Sequence, residues 1–288
     1  MAIERVLPLI GVLAFASGCV NLQAVNTASG QLVSAASSWN AVADDFEASC
    51  HRRNQVSDVP SDCAAEKQST ASLEAADKIL SAYFTALQQV SNGSNFSVDP
   101  GMSALETSVQ SIPGAKADQV QAVSAFAKFL ADAATLALRE RTLKTLISNG
   151  VPKADATIDV LNNVVVHQLS NVLDREDNQT LTTFTSYILQ SGVTADLRNV
   201  TCADGPVTHS FSTGNAFLLA EAYCSRMLIV SQKRAALVSY QSSLVTAKKT
   251  LQDLQDGKDN LAATAIIQQL VSQASSLKND VDKIQKAF

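Results

Sequence analysis

Five cysteines and three histidines are the most chemically versatile side chains of this 288-residue chain. The cysteines stand at positions 19, 50, 63, 202 and 224. Thiolate metal sites need pairs about as close as C-x-x-C, and no such pair occurs, so the spacing argues for covalent use of the sulfurs rather than metal binding. His51 and His209 fall in polar connections. His167 lies between Asn163 and Asn171, one turn away on either side, on the polar edge of a helical stripe. A haem reading would set His167 against Met102 or Met227, but the chain has no C-x-x-C-H attachment site. The acidic run Asp174-Arg175-Glu176-Asp177-Asn178-Gln179 imitates the start of a calcium loop. Its sixth position holds Gln179 where Gly is required, and its twelfth holds Thr185 where Glu is required. Asp44-Asp45 has no matching carboxylate pair at a fixed spacing. G-x-S-x-G, S-x-x-K with its companions and a glycine-rich phosphate cradle are all missing. No catalytic residue, metal ligand or cofactor site is therefore expected.

Cys19 stands apart from the other four because of what precedes it. Arg5 leads an apolar run from Val6 to Phe15, and the small residues Ala16, Ser17 and Gly18 follow. The run is far short of the roughly 20 apolar residues that span a bilayer, so it reads as an export leader. The stretch Leu13-Ala14-Phe15-Ala16-Ser17-Gly18-Cys19 resembles the lipobox of the bacterial lipoproteins. That resemblance implies a signal peptide over residues 1–18, cleavage just before Cys19, and palmitate-type acyl chains on Cys19. Since Val20 and Asn21 follow the cysteine where an inner-membrane protein carries Asp, it implies lipid anchoring in the outer membrane, with the folded part facing the periplasm. A rival cut exists, because Ala14-Phe15-Ala16 fits the A-x-A pattern and would release a soluble secreted product. Cysteine arithmetic favours the lipid. An exported protein pairs its thiols, and an acylated Cys19 leaves an even set. Of the three possible pairings, Cys50 with Cys63 and Cys202 with Cys224 is preferred, since each would clamp an irregular connection beside a helix end. Closing a loop of around 15 residues contributes roughly 3 kcal/mol.

The elements that must carry these groups read as helices throughout. Apolar residues make up 46% of the chain and aromatics 5%, with 11 Gly and 6 Pro, a composition of Ala, Leu and Val that favours long uninterrupted helices. Residues 19–30 are small and polar, a short lipid-anchored tether or the fraying start of a helix. Residues 31–48 show one helical face in Leu32, Ala35, Ala36, Trp39, Val42 and Phe46. A second helix is expected from about Ser61 through Leu73, Ala76, Leu80, Phe84 and Leu87 to a stop at Asn92-Gly93. A broken stretch between Asn92 and Gly114 follows. A long helix is expected over 115–148, inward at Val123, Phe126, Leu130, Ala133, Ala137 and Leu146. The next begins at Pro152 and is expected to break at the polar run 174–179 before resuming to Gly192. After a second irregular stretch from Val193 to Gly214, Leu237, Leu244 and Leu251 repeat every seven residues, with Tyr240, Ala247 and Leu254 offset by three. Beyond a turn at Asp256-Gly257-Lys258-Asp259, Leu270, Leu277 and Ile284 repeat again beside Ile267, Ala274 and Val281. Two such helices joined by so short a turn fold back as an antiparallel hairpin.

The expected fold is thus all-α, an antiparallel bundle of about six long helices with a C-terminal coiled-coil-like hairpin, one domain over residues 31–288. A net charge of −5 gives no basic footprint for nucleic acid, and attachment to a membrane would rest on the acyl chains. The leading functional expectation is a non-enzymatic envelope lipoprotein that presents its bundle to another envelope protein or to the cell wall. Two alternatives differ in kind. One is a bundle that carries a small apolar ligand or lipid between its helices. The other is an enzyme whose site is assembled from the irregular loops around His51, His209 or Asp204. Partner surfaces are sought first in the two irregular stretches and on any apolar patch of the final hairpin.

Overall fold

The computed structural model describes residues 13–94, 114–133, 143–190, 214–261 and 263–288, with isolated positions at 105, 108, 109, 112, 197, 200 and 202. Side chains are described from Leu22 onward. The protein is an all-α bundle, and among the described residues its six helices are α1 (Leu13–Asn54), α2 (Ala64–Ser91), α3 (Ala117–Ala133), α4 (Val151–Gln190), α5 (Gly214–Gly257) and α6 (Thr264–Ala287). A short π-helical stretch, Leu146–Gly150, runs directly into α4.

α1 is the hub, packing on α2, α4, α5 and α6. It runs antiparallel to α2, because Asn26 donates to the Gln88 carbonyl at one end while Thr70 donates to the Ala43 carbonyl further along. It is also antiparallel to α5, with Trp39 on Ser243 and Asp45 on Lys233. α4 is antiparallel to α5 in turn, pairing Asp159 with Lys248 and Asp174 with Arg234. One end of the bundle therefore gathers the start of α1, the end of α2 and the α5–α6 turn. The opposite end gathers the α1–α2 connection, the end of α4 and the start of α5.

The expected inward stripes are the core. Leu32, Ala35, Ala36, Trp39 and Val42 of α1 and Leu73, Ala76, Leu80, Phe84 and Leu87 of α2 are fully buried. The heptad positions of α5 and α6 are buried with them, apart from a half-buried Ile267, and their seam closes within the chain on α1. At the centre Trp39 meets Phe84 and Tyr240 edge-on, at 6.4 and 6.3 Å between ring centroids. Its indole N–H donates to Ser243 Oγ at 2.8 Å, and that hydroxyl donates to the Tyr240 carbonyl at 2.7 Å. A buried Trp thus keeps its polar edge satisfied. α2 stops as its sequence requires. Gly93 takes φ 85°, its N–H reaches Val90 O, and Ser94 N–H reaches Gln89 O, the paired bonds of a Schellman cap.

Two expectations change. Residues 22–30 are not a tether. They belong to α1, and Val25, Ala28 and Ser29 are fully buried, because the stripe of 32–46 continues backward through small residues whose pattern is quiet. Of the helix expected over 115–148, α3 covers Ala117–Ala133 and residues 143–150 are again helical, with 134–142 outside the described residues. The break expected at 174–179 does not occur, and α4 runs unbroken for 40 residues, because each acid there meets a cation or hydroxyl on another helix. Within the broken stretch, positions 105 and 108 are helical and Val109 is fully buried, while Met102 lies outside the described residues.

In the π-helical stretch the Leu146 carbonyl accepts from Tyr83 Oη at 2.9 Å, and the Val151 N–H that follows bonds the Ile147 carbonyl. Gly150 makes room for that ring, since a Cβ there would stand 2.5 Å from Tyr83 Cε2. Gly150→Ala is expected to destabilise the protein by about 1–3 kcal/mol through overpacking. Urea unfolding of the variant measures it, and a midpoint equal to the parent's would show that the ring moves aside freely.

Candidate functional site

The cysteines define the most distinctive region, the end of the bundle remote from the start of α1. Cys50, on the last turns of α1, is joined to Cys63, which immediately precedes α2. Cys63 adopts φ 56°, the one left-handed non-glycine residue among those described. That conformation is uncommon outside Gly, Asn and Asp, and the surrounding bonds hold it. Asn54 brackets the loop, donating to the Ser61 carbonyl at 2.8 Å and accepting from the Ser61 N–H at 3.0 Å. Cys202 is joined to Cys224 on α5. Around this second bridge a small separate apolar cluster forms from Val56, Phe184, Ile188, Leu197, Ala216 and Tyr223, with Met227 packed against it. Val59 at 83% exposure and the exposed Tyr187, Leu189 and Leu218 rim the same end. This end is called the bridged pole below.

Directly beneath the bridged pole lies an ion network that ties α1, α4 and α5 together. The Arg52 guanidinium donates from Nη1 and Nη2 to Asp45 at 2.7 and 3.0 Å, and from Nε and Nη2 to Glu176 at 2.7 and 2.9 Å. Lys233 Nζ approaches Asp45 at 2.8 Å and lies over the Phe288 ring, while Ser49 donates to Glu176 at 2.6 Å. Two acids and two bases balance, which is the condition for burying charge. Hydrogen bonding to both carboxylates holds the Arg52 guanidinium more firmly protonated than usual, against the opposing effect of its burial. A second pair, Arg53 with Glu66 at 2.7 Å, fixes the start of α2.

A different kind of site sits halfway along α1 and α2. Asp77 is 1% exposed, and its Oδ1 has no hydrogen-bond partner. Burial drives its carboxyl well above the ordinary range, with Glu74 and Asp44 pushing the same way and Lys78 opposing them. The Asp44 carboxyl is also raised, by burial and by its hydrogen bond with Glu74, which is itself lowered by Lys78. Burial therefore favours the neutral form of the Asp77 carboxyl in the folded state. Between its ordinary and raised values the unfolded chain has released this proton and the folded chain keeps it, so stability falls as pH rises through that window. Asp77→Asn is expected to remove this slope and to raise the denaturation midpoint near neutral pH. Urea midpoints of parent and variant from pH 4 to 8 test it, and parallel curves would show that Asp77 titrates normally.

Open grooves flank the helices. One of them, about 380 Å³, runs over Phe46 and Val172 between Glu66, Gln168, Asn171 and Arg175. His51 is exposed on the last turn of α1, with Glu47 at 3.4 Å, and His167 is exposed on α4, so the two stand on separate helices. His209 and Asp204 lie outside the described residues, as does the side chain of Cys19, whose backbone is part of α1. Among the described residues, no group of three His, Cys, Asp or Glu could hold a metal ion, and no helix is long and apolar enough to cross a membrane.

Sequence reasoning passed over the ion network. Its signal was available, because Asp45, Ser49 and Arg52 continue the inward spacing of Trp39, Val42 and Phe46, and charges at inward positions require partners. Asp77 carries the same signal on α2, one residue after Ala76. Comparison with protein-family models, with curated proteins and with solved structures finds no match to this chain. The functional reading therefore rests on the residues themselves.

Proposed function

We propose that this protein is a non-enzymatic lipoprotein of the bacterial outer membrane, anchored through acylated Cys19, whose helical bundle offers a rigid, disulfide-clamped pole to another envelope protein or to the cell wall. The observation that carries the reading is the lipobox-like run ending at Cys19, which leads within three residues to Leu22, a side chain packed on the bundle core. Rigidity is the second support. The bridged pole is held by two disulfides, and the network of Arg52, Asp45, Glu176 and Lys233 locks three helices immediately below it. Such a pole keeps its shape without a ligand, which suits recognition by a partner that arrives preformed.

Growth with radiolabelled palmitate tests the anchor. Label in the parent protein, loss of label in Cys19→Ala, and recovery of the parent in the outer-membrane fraction are expected. An unlabelled mature chain beginning at Ser17 would replace this reading with a freely diffusing product. Crosslinking from the bridged pole in intact envelopes, followed by identification of the captured neighbour, then names the partner class.

A further inference from the structure

The helix that bears the proposed anchor is the same helix that forms the hub of the bundle, and nothing flexible separates the two. α1 is continuous from Leu13 to Asn54, Leu22 already packs on the core, and Val25 is fully buried. Resting on the acylation of Cys19 proposed above, we infer that the bundle stands on its end upon the phospholipid surface and holds the bridged pole at a fixed height of about 45 Å above it.

The height follows from helix geometry. At 1.5 Å per residue, α1 carries Cys50 about 46 Å from Cys19. If the first turn frays, the three residues from Cys19 to Leu22 reach only about 10 Å when fully extended, so slack at the anchor stays small against that height. Charge decides between standing and lying flat. The net charge is −5, and a leader holding one acid, Glu4, and one base, Arg5, leaves it unchanged on removal. An anionic bundle is repelled along its flank by anionic headgroups over about a Debye length, so it exposes least surface to them when upright. The end that meets the lipid consists of the start of α1, the end of α2 and the α5–α6 turn. Among the described residues of this end, Lys144 pairs with Asp259 at 2.6 Å and Lys258 stands beside them in the turn. Both disulfides lie at the other end, so the bridged pole is the face turned toward a partner beyond the membrane.

Energy transfer on the full acylated protein tests the inference. A fluorophore is placed through a bioorthogonal residue at Val59, on the bridged pole, or at Asn260, on the α5–α6 turn. Both positions are exposed and leave the cysteines untouched. The acceptor is a headgroup dye in phosphatidylethanolamine and phosphatidylglycerol vesicles. Mass spectrometry of the N-terminal peptide confirms the acyl chains beforehand. Transfer from Asn260 is expected to exceed transfer from Val59 severalfold, and a flexible Gly/Ser segment inserted between Asn21 and Leu22 is expected to lower the transfer from Asn260. Equal transfer from both sites on acylated protein would overturn the upright stance while leaving the anchor in place. Absence of acyl chains on Cys19 would overturn the anchor itself and the stance with it.

Discussion

Replacing Arg52 with Ala lowers the unfolding free energy by about 3–5 kcal/mol, the loss expected when one partner is removed from a buried ion pair. The cause is less the missing attraction than what is left behind. Glu176, 4% exposed, keeps only the Ser49 hydroxyl at 2.6 Å, while Asp45 retains Lys233 at 2.8 Å. Most of the effect should therefore trace to Glu176. Adding Glu176→Gln to Arg52→Ala removes the stranded charge, so the double variant should lose clearly less than the sum of the two single losses. Urea unfolding of the four proteins at one pH measures this cycle. Additive losses would mean that the two side chains act independently, and the network would then not be the clasp between α1 and α4.

Opening the bridges produces the second large effect. The two disulfides close separations of 13 and 22 residues, each worth about 3 kcal/mol in the loop-entropy account. Serine at Cys202 and Cys224 should act mainly on the small cluster around Phe184, Ile188 and Tyr223, which is separate from the main core. Hydrogen exchange at the start of α5 should speed up while amides around Trp39 stay protected, a local opening of the pole rather than global unfolding. Serine at Cys50 and Cys63 instead frees the α1–α2 connection, including the left-handed backbone of Cys63. If exchange rises equally around Trp39 and at the start of α5, the pole and the core form one cooperative unit.

Periodicity made most of the fold legible. The stripes around Trp39 and Phe84 and the two heptad runs, Leu237 to Leu254 and Ile267 to Ile284, are strongly apolar and free of Gly and Pro within each run, so spacing alone gives helix and face. It failed where helices are built from weak signals or hold charge inside. Residues 22–30 bury Ala, Val and Ser, whose small surfaces scarcely register as a stripe. Asp174 to Asp177 look like a solvated break because a single sequence does not show that Arg52 and Arg234, far away along the chain, stand ready to receive them. The candidate site was legible in its covalent part only. Each cysteine pair flanks an irregular connection, whereas the charges beneath the pole are assembled from three helices by tertiary packing.

The hub position of α1 also sets the order of events during biogenesis. Trp39 finds Ser243 across a sequence separation of 204 residues, and the α5–α6 hairpin that covers the hub comes last in the chain. A polypeptide emerging amino end first can close α2 onto α1 early, but the face of α1 that meets α5 and α6 stays uncovered until those helices arrive. Truncation before α6 is therefore expected to leave that face of α1 exposed and the product prone to aggregate.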